Sequence, residues 1–327
     1  MEIDFVITWV DGEDPNLKSK RQSYLRGYNY EEREDIAAPT RYRSVGEIGY
    51  CVASILRFAP FVRKIFIVTD HQDPGLDGFI ARYFPDNKVP IEIVDHTVIF
   101  RGYEPYLPTF NSLSIETMLW RIPGLSENFI YMNDDFMLTA PVTPEMWFRD
   151  GKMVVYGYWH NTLTALLARK ASSLFHREAP MKWRDRMLNA ALLVGGTSLL
   201  RFIRIQHTPR ALSRSLYMRY YDEYPESIVI NLRHRFRHKS QYDSQELNYL
   251  LALHQDKLIV ESATPLLAYY DPTHHSGERF ETLMKQLETS PTVRFLCINS
   301  LDMAPAEESE RLTRWIEKTL GVSLNLD

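Results

Sequence analysis

In the first 135 residues, short uninterrupted apolar runs alternate with segments whose apolar positions recur every three or four residues. The runs at 3–10, 64–69, 90–94 and 129–132 are rich in Ile, Val and Phe and are bounded by Gly, Pro, Asn or Asp, which predicts buried strands. Between them, residues 16–30 form a polar stretch of helical length. Residues 44–58 place Val45, Ile48, Cys51, Val52, Ile55 and Leu56 on one helical stripe that stops at Pro60, and residues 111–121 predict a third helix. Strands separated by helix-length segments argue for βαβ units and a largely parallel sheet. In such sheets ligands gather beyond the carboxyl ends of the strands. Asp11, Asp70, Asp95 and the pair Asp134-Asp135 all fall at predicted strand ends, which makes an acidic cleft the expected site.

The pattern then changes. Residues 162–205 predict helix, with Leu188, Leu192, Leu193, Leu199, Leu200, Phe202 and Ile203 interleaved with Arg184, Arg186, Arg201 and Arg204. Further on, 227–232 reads as a strand, 244–254 and 278–288 as helices, and 292–299 as a strand. This divides the chain at 1–150, 151–206 and 207–327, an α/β core carrying a helical basic and apolar insertion.

Charge sharpens that division. The formal net charge is −4, yet residues 151–220 carry twelve Lys/Arg against Glu178 and Asp185. A basic block in an acidic chain points to an anionic partner: substrate phosphates, lipid headgroups or nucleic acid. A solvated helical face would look the same. Leu and Val are mixed among the cations where a nucleic-acid groove would present stacking aromatics, so nucleic acid ranks last. Cys51 and Cys297, the only cysteines of 327 residues, sit in apolar contexts and read as buried thiols of a reducing compartment. No basic leader follows Met1, and the longest apolar run, 188–200, is interrupted by Gly195-Gly196 and falls short of the roughly 20 residues of a spanning helix. These features predict a cytoplasmic protein, soluble or peripheral at a membrane.

The densest chemistry lies at Phe129-Ile130-Tyr131-Met132-Asn133-Asp134-Asp135. Adjacent carboxylates at the mouth of an apolar strand repel each other and are costly to desolvate without a cation. Hard oxygen donors in that number suit Mg²⁺ or Mn²⁺ when phosphates complete the shell. Asn and Asp are also favoured in turns and helix caps, so the motif alone leaves both open.

Four segments taken together resemble the conserved blocks of the Stealth family of sugar-phosphate transferases. They are Ile3-Asp4-Phe5-Val6-Ile7-Thr8-Trp9-Val10-Asp11-Gly12; Arg41 through Leu107-Pro108-Thr109-Phe110-Asn111-Ser112 to Asn133-Asp134-Asp135; His207-Thr208-Pro209 to Phe236-Arg237-His238; and Phe295-Leu296-Cys297-Ile298-Asn299. In the last block Ser300 stands where the family carries Asp. The resemblance implies a GT-A-like mostly parallel sheet and transfer of a hexose-1-phosphate from a UDP-sugar to a hydroxyl of a glycan or lipid-linked glycan, with release of UMP. It further implies Asp134 and Asp135 on Mg²⁺ or Mn²⁺, Arg237 on the transferred phosphoryl group and His207 as general base. Asp11, Gly12, Arg43, Asn111, Ser112 and Asn133 would contact the nucleotide-sugar. Asn111 and Ser112 would serve equally as a helix cap, and Trp9 as core or as a stacking platform for the base.

Overall fold

The computed structural model describes residues 1–25, 46–175, 183–274 and 277–324. Four parallel strands form its centre: β1 (Ile3–Thr8), β2 (Lys64–Thr69), β3 (Ile91–Asp95) and β4 (Asn128–Asn133). They lie side by side in the order β3-β2-β1-β4. Ile3 to Ile7 and Ile65 to Thr69 are buried, as expected of parallel strands covered on both faces. The sequence predicted all four to within two residues.

From β4 the chain turns through Asp134-Asp135 into β5 (Phe136–Leu138), which belongs to a second sheet. After the short β6 (Phe148–Arg149) comes β7 (Lys152–Asn161), the longest strand described. β8 (Arg201–Ile205) pairs antiparallel with the second half of β7, and β9 (Arg210–Ser213) closes the edge of the main sheet antiparallel to β4. β10 (Leu258–Glu261) pairs with the first half of β7. β11 (Leu267–Tyr270) and β12 (Phe295–Ile298) complete the second sheet in the order β11-β12-β5. Where β7 passes from one partner to the next, a Cβ on Gly157 would lie 2.6 Å from the Arg204 carbonyl oxygen, so only glycine allows the approach.

The insertion is therefore a helical excursion held at its root by two strands. Its helices, Thr162–Phe175 and Trp183–Val194, sit between β7 and β8, which pair from Gly157↔Ile205 to Asn161↔Arg201. Two expectations need correction. Residues 201–205 are strand, since tertiary pairing with β7 outweighs the helical spacing. Residues 227–232 lie in the helix Pro225–Leu232. There Pro225 occupies the first turn, where its missing N–H costs nothing, and Asn231 Nδ2 donates to Thr117 Oγ1 (2.7 Å) on a neighbouring helix. The β-branched composition of Ile228, Val229 and Ile230 had favoured strand, and packing decided otherwise. The apolar run 188–200 breaks at Gly195 and Gly196, both at positive φ, and no helix among the described residues is long and apolar enough to cross a membrane.

Trp147 locks the layers together. It is fully buried, meets Phe5 of β1 edge-on (6.1 Å), packs against Phe295 of β12 (5.7 Å) and donates from Nε1 to the Pro209 carbonyl (3.1 Å) just before β9. Trp147→Ala should cost about 3–5 kcal/mol and Trp147→Phe distinctly less, read from urea unfolding midpoints. A loss below about 1 kcal/mol for the alanine variant would contradict this role.

Candidate active site

The carboxyl ends of β1, β2, β3 and β4 meet those of β11 and β12 around one cavity of about 530 Å³. Thr8, Trp9 and Val10 line it from β1, Asp70 from β2, His96 from β3, and Asn133, Asp134 and Asp135 from β4. Asp271 and Asn299-Ser300 complete the wall from the second sheet. The acid pair sits where the chain crosses between sheets, and the Ile298 N–H of β12 donates to the Asp135 carbonyl (3.0 Å). The helix Glu47–Phe58 packs behind it: Ser54 Oγ accepts from Leu138 N (3.0 Å), and the Cys51 thiol approaches the Asn133 carbonyl (3.8 Å). Both cysteines are buried and free, and burial followed by the acid pair's charge pushes the Cys51 thiol well above its ordinary range. Cys51 and Cys297 are packing residues.

Glu47, in the first turn of that helix, faces the acid pair across the cavity wall. Burial first, then Asp135 and Glu47, raise Asp134 well above the usual carboxylate range. Burial and Glu47 lift Asp135 to about 7. Asp135 Oδ1 is buried without a hydrogen-bond partner. A buried orphan oxygen beside two mutually repelling carboxylates fits a hard divalent cation, so the donor set suits Mg²⁺ or Mn²⁺. Asp70, His71 and Asp95 form a second group whose ligand atoms lie within 4.8 Å of one another. There Lys20 Nζ already contacts both Asp70 oxygens (3.0 and 2.8 Å), and the His71 and Thr97 N–H groups donate to Asp95. Charge at that group is largely met by the protein.

Cations line the same cavity as the acids. Arg210 stands opposite Tyr131 in the β4–β9 register, donates to Gln245 Oε1 and keeps a buried Nε without a partner. Burial acts to lower its pKa, but Asp243 and Glu116 more than offset this and hold the guanidinium charged. Glu116 accepts from Gln245 Nε2 (2.9 Å) and is raised, first by burial and then by Asp243. Arg237 Nη2 donates to Ser112 Oγ (2.9 Å), and Arg186 also lines the cavity. His207 stacks on Tyr269 (ring centroids 4.7 Å apart) at the rim. The protein around it, then Arg210, Arg186 and Arg204, lower its pKa to about 4, so the imidazole is neutral at physiological pH.

Of the residues singled out from sequence, His207, Arg237, Asp134, Asp135, Asn133 and Ser112 share this cavity. Asn111 lies behind its wall, fully buried. Its Oδ1 caps the helix Ser112–Met118 through Leu113 N (3.2 Å), and its Nδ2 donates to the His234 carbonyl and Gln241 Oε1. Of its two open roles it takes the cap. Asp11 and Gly12 form the turn after β1 outside the cavity lining, with Asp11 tied through its backbone to Gln72 (2.8 and 3.0 Å). Arg43 lies outside the described residues. Glu47, Glu116 and Arg210 were not singled out, and Arg186, read from sequence as part of the basic face of the insertion, lines the cavity instead. Glu116 follows Ser112 by one helical turn, a spacing that puts both on one face and was the available signal. Ser300, standing where the family carries Asp, lines the cavity together with Asp302.

Sheet and cavity define an α/β protein with a parallel central sheet and its pocket at the strand ends. Two family models match in order: Stealth protein CR1, conserved region 1, over residues 1–29, and Stealth protein CR2, conserved region 2, over 41–155. The chain belongs to the Stealth family. It is 36% identical over 241 residues to exopolysaccharide phosphotransferase SCO6023 of Streptomyces coelicolor, covering 72% of this chain and 37% of that protein. It is 28% identical to exopolysaccharide phosphotransferase CpsY of Mycobacterium tuberculosis over 97% of this chain and 56% of that one. Against capsular polysaccharide phosphotransferase WcwK of Streptococcus pneumoniae, identity is 39% over 47% of this chain and 44% of the relative. The chain thus spans between about a third and a little over half the length of these relatives. Among solved structures, an active-site mutant of LgtC aligns with 96% of this chain and 95% of its own (TM-score 0.48, 12% identity). The bifunctional glycosyltransferase WbbM aligns with 96% and 49% (TM-score 0.47, 9% identity). Likeness at this level speaks to neither substrate nor mechanism.

The raised acids set a pH signature. Folded Asp135 holds its proton to about pH 7, whereas an ordinary Asp releases it near 3.8. Without metal, Asp135 binds more protons in the folded state than in the unfolded chain in that window, so its contribution to stability should fall as pH rises from about 4 to 7, while the lowered His207 contributes in the opposite sense. In thermal unfolding in EDTA, Asp135→Asn should therefore remove a falling component from the wild-type midpoint-versus-pH curve, and added Mn²⁺ should raise the wild-type midpoint more at pH 7.5 than at pH 5. Identical slopes in wild type and variant would refute the assignment.

Proposed function

We propose that the protein transfers a hexose-1-phosphate, such as GlcNAc-1-phosphate, from a UDP-sugar to a glycan hydroxyl in cell-surface polysaccharide synthesis. The observation that carries this reading is one cavity that holds the orphan-bearing acid pair together with Arg186, Arg210 and Arg237. A pyrophosphate bridged to a divalent cation needs that combination of charge. The relatives' names, all phosphotransferases, favour phosphorus over the anomeric carbon as electrophile.

Asp134 and Asp135 would hold Mg²⁺ or Mn²⁺, which when bound neutralises charge on the leaving phosphate. Arg237, aimed by Ser112 Oγ, offers a planar fork to the non-bridging oxygens of the transferred group. Arg210, held charged by Asp243 and Glu116, adds a second fixed positive charge. The neutral imidazole of His207 takes the proton of the acceptor hydroxyl as its oxygen bonds to the sugar-proximal phosphorus. The bond from that phosphorus to the bridging oxygen breaks, UMP leaves with that oxygen, and the sugar C1–O bond stays intact. Trp9, which lines the cavity at the β1 end, would flank the nucleoside portion, with the Asp11-Gly12 turn just beyond the lining.

Incubation with UDP-GlcNAc and related donors, Mn²⁺ and a glycan acceptor should release UMP; release of UDP would overturn the phosphoryl-transfer reading in favour of ordinary glycosyl transfer. His207→Gln should lower kcat by about 10²–10⁴-fold with nucleotide affinity unchanged. With the imidazole pKa at about 4, the rate should show no histidine limb near pH 6.5.

The reading places the enzyme in the cytoplasm, peripheral at the inner membrane face. Supporting it, Leu163 (62% exposed) and Leu200 (70%) lie near Arg201, whose guanidinium sits 4.0 Å over the Trp159 ring. Such a mixture favours anionic headgroups. Co-sedimentation with phosphatidylglycerol vesicles should weaken on changing Arg201 and Arg204 to Gln, and equal pelleting would remove the idea.

A further inference from the structure

The basic wall of the cavity continues outward past Arg237. Residues 233–240 join the helix Pro225–Leu232 to the helix Ser244–His254 and read Arg-His-Arg-Phe-Arg-His-Lys-Ser, without an acid. The loop is firmly held. Arg235 donates to the carbonyls of Tyr106 (3.1 Å) and Pro108 (2.6 Å), and Phe236 stacks on Phe110 (5.3 Å). His234 and His238 stack at 4.1 Å and share the Ser240 hydroxyl at 2.8 and 2.9 Å. His238 Nδ1 also accepts the Ser240 N–H (3.2 Å), which puts its ring proton on Nε2. His234 Nε2 accepts from Arg233 Nε (3.2 Å) and so orients that guanidinium. Asn189 ties the loop to the insertion: Nδ2 donates to the Lys239 carbonyl (3.1 Å), and Oδ1 accepts from Arg169 (2.9 Å).

Packing accounts for Arg235 and Phe236 but not for the exposed Arg233 and Lys239. Among the described residues, neither they nor Arg169 form an ion pair with an acid. A held loop whose Arg233 and Lys239 have no acid partner among the described residues, and which carries Arg237 into the cavity, focuses an anionic ligand toward the site. The loop exposes no large apolar side chain, unlike the surface around Leu163 and Leu200, so a bilayer has nothing to bury there. It exposes no aromatic on which a nucleic-acid base would stack.

We propose that this loop is an acceptor subsite that binds a phosphodiester already present in the acceptor glycan, at a distance from the hydroxyl entering the cavity. The inference rests on the transfer reaction proposed above, whose product gains one phosphodiester per turnover. It goes beyond that reaction in making the enzyme an elongating one, which prefers its own earlier product as acceptor. Arg233 and Lys239 offset the repulsion between a negatively charged chain and the acid wall.

The test uses Arg233→Gln/Lys239→Gln, with Arg233→Lys/Lys239→Arg as the charge-preserving control. The binding probe is fluorescein-labelled poly(glycerol phosphate), a sugar-free phosphodiester chain, followed by anisotropy. Wild type should bind it with affinity falling on the order of tenfold between 50 and 200 mM salt, as a few phosphate contacts require. The Gln variant should bind roughly tenfold more weakly and the control as wild type. In turnover, wild type should show a lower KM for a phosphodiester-bearing glycan than for a neutral glycan of equal length. The Gln variant should bring the two KM values together and shorten the products, with kcat on the neutral acceptor kept. An equal KM rise on both acceptors, or no change on either, would overturn the subsite. So would variant-sensitive binding to phosphatidylglycerol vesicles without binding of the glycan probe. Wild-type release of UDP together with variant-sensitive probe binding would overturn the transfer reading and leave the anion subsite standing.

Discussion

The structure turns on electrostatic repulsion at the point where the chain leaves one sheet for another. β4 ends at Asn133, β5 starts at Phe136, and the two residues between them are both acids. Their backbone is fixed from three directions: by β1 alongside β4, by β12 alongside β5, and by the helix Glu47–Phe58 behind. The carboxyl groups cannot move apart, and burial together with neighbouring Glu47 makes them hold their protons to unusually high pH when no cation is bound.

Much of that packing is visible at Trp147, which ties β1, β12 and the approach to β9 into one unit. The same junction explains the placement of Arg210. β9 lies antiparallel on β4, so the residue opposite Tyr131 is carried to the acid side of the sheet edge. Asp243 caps the helix Ser244–His254 through the N–H groups of Gln245 and Glu246 and also keeps Arg210 charged. One carboxylate thus ends a helix and supports the cationic wall. Strand order brings the acids and the arginines of the cavity together, and no local segment contains both.

The insertion illustrates a different economy. Its two helices depart from β7 and return through β8, and that antiparallel pair fixes their root beside the cavity. Asn189 on the second helix donates to the Lys239 and Gln241 carbonyls and so ties the insertion to the basic loop.

The sequence by itself determined the parallel strands, the acid pair at the end of β4 and the helix stripe of residues 44–58. These follow from local periodicity and from residues with one strong preference. It also carried the family pattern that groups His207 and Arg237 with the acids. It did not yield the helix Pro225–Leu232, where β-branched residues favour strand locally and Asn231 is recruited by a neighbouring helix. Nor did it mark Arg210, Glu116 or Glu47, each an ordinary charge in its own segment. Those residues gain their role only when strand order brings segments distant in the chain around one cavity. Burial there makes uncompensated charge expensive, and tertiary structure alone decides which charges are left to meet a ligand.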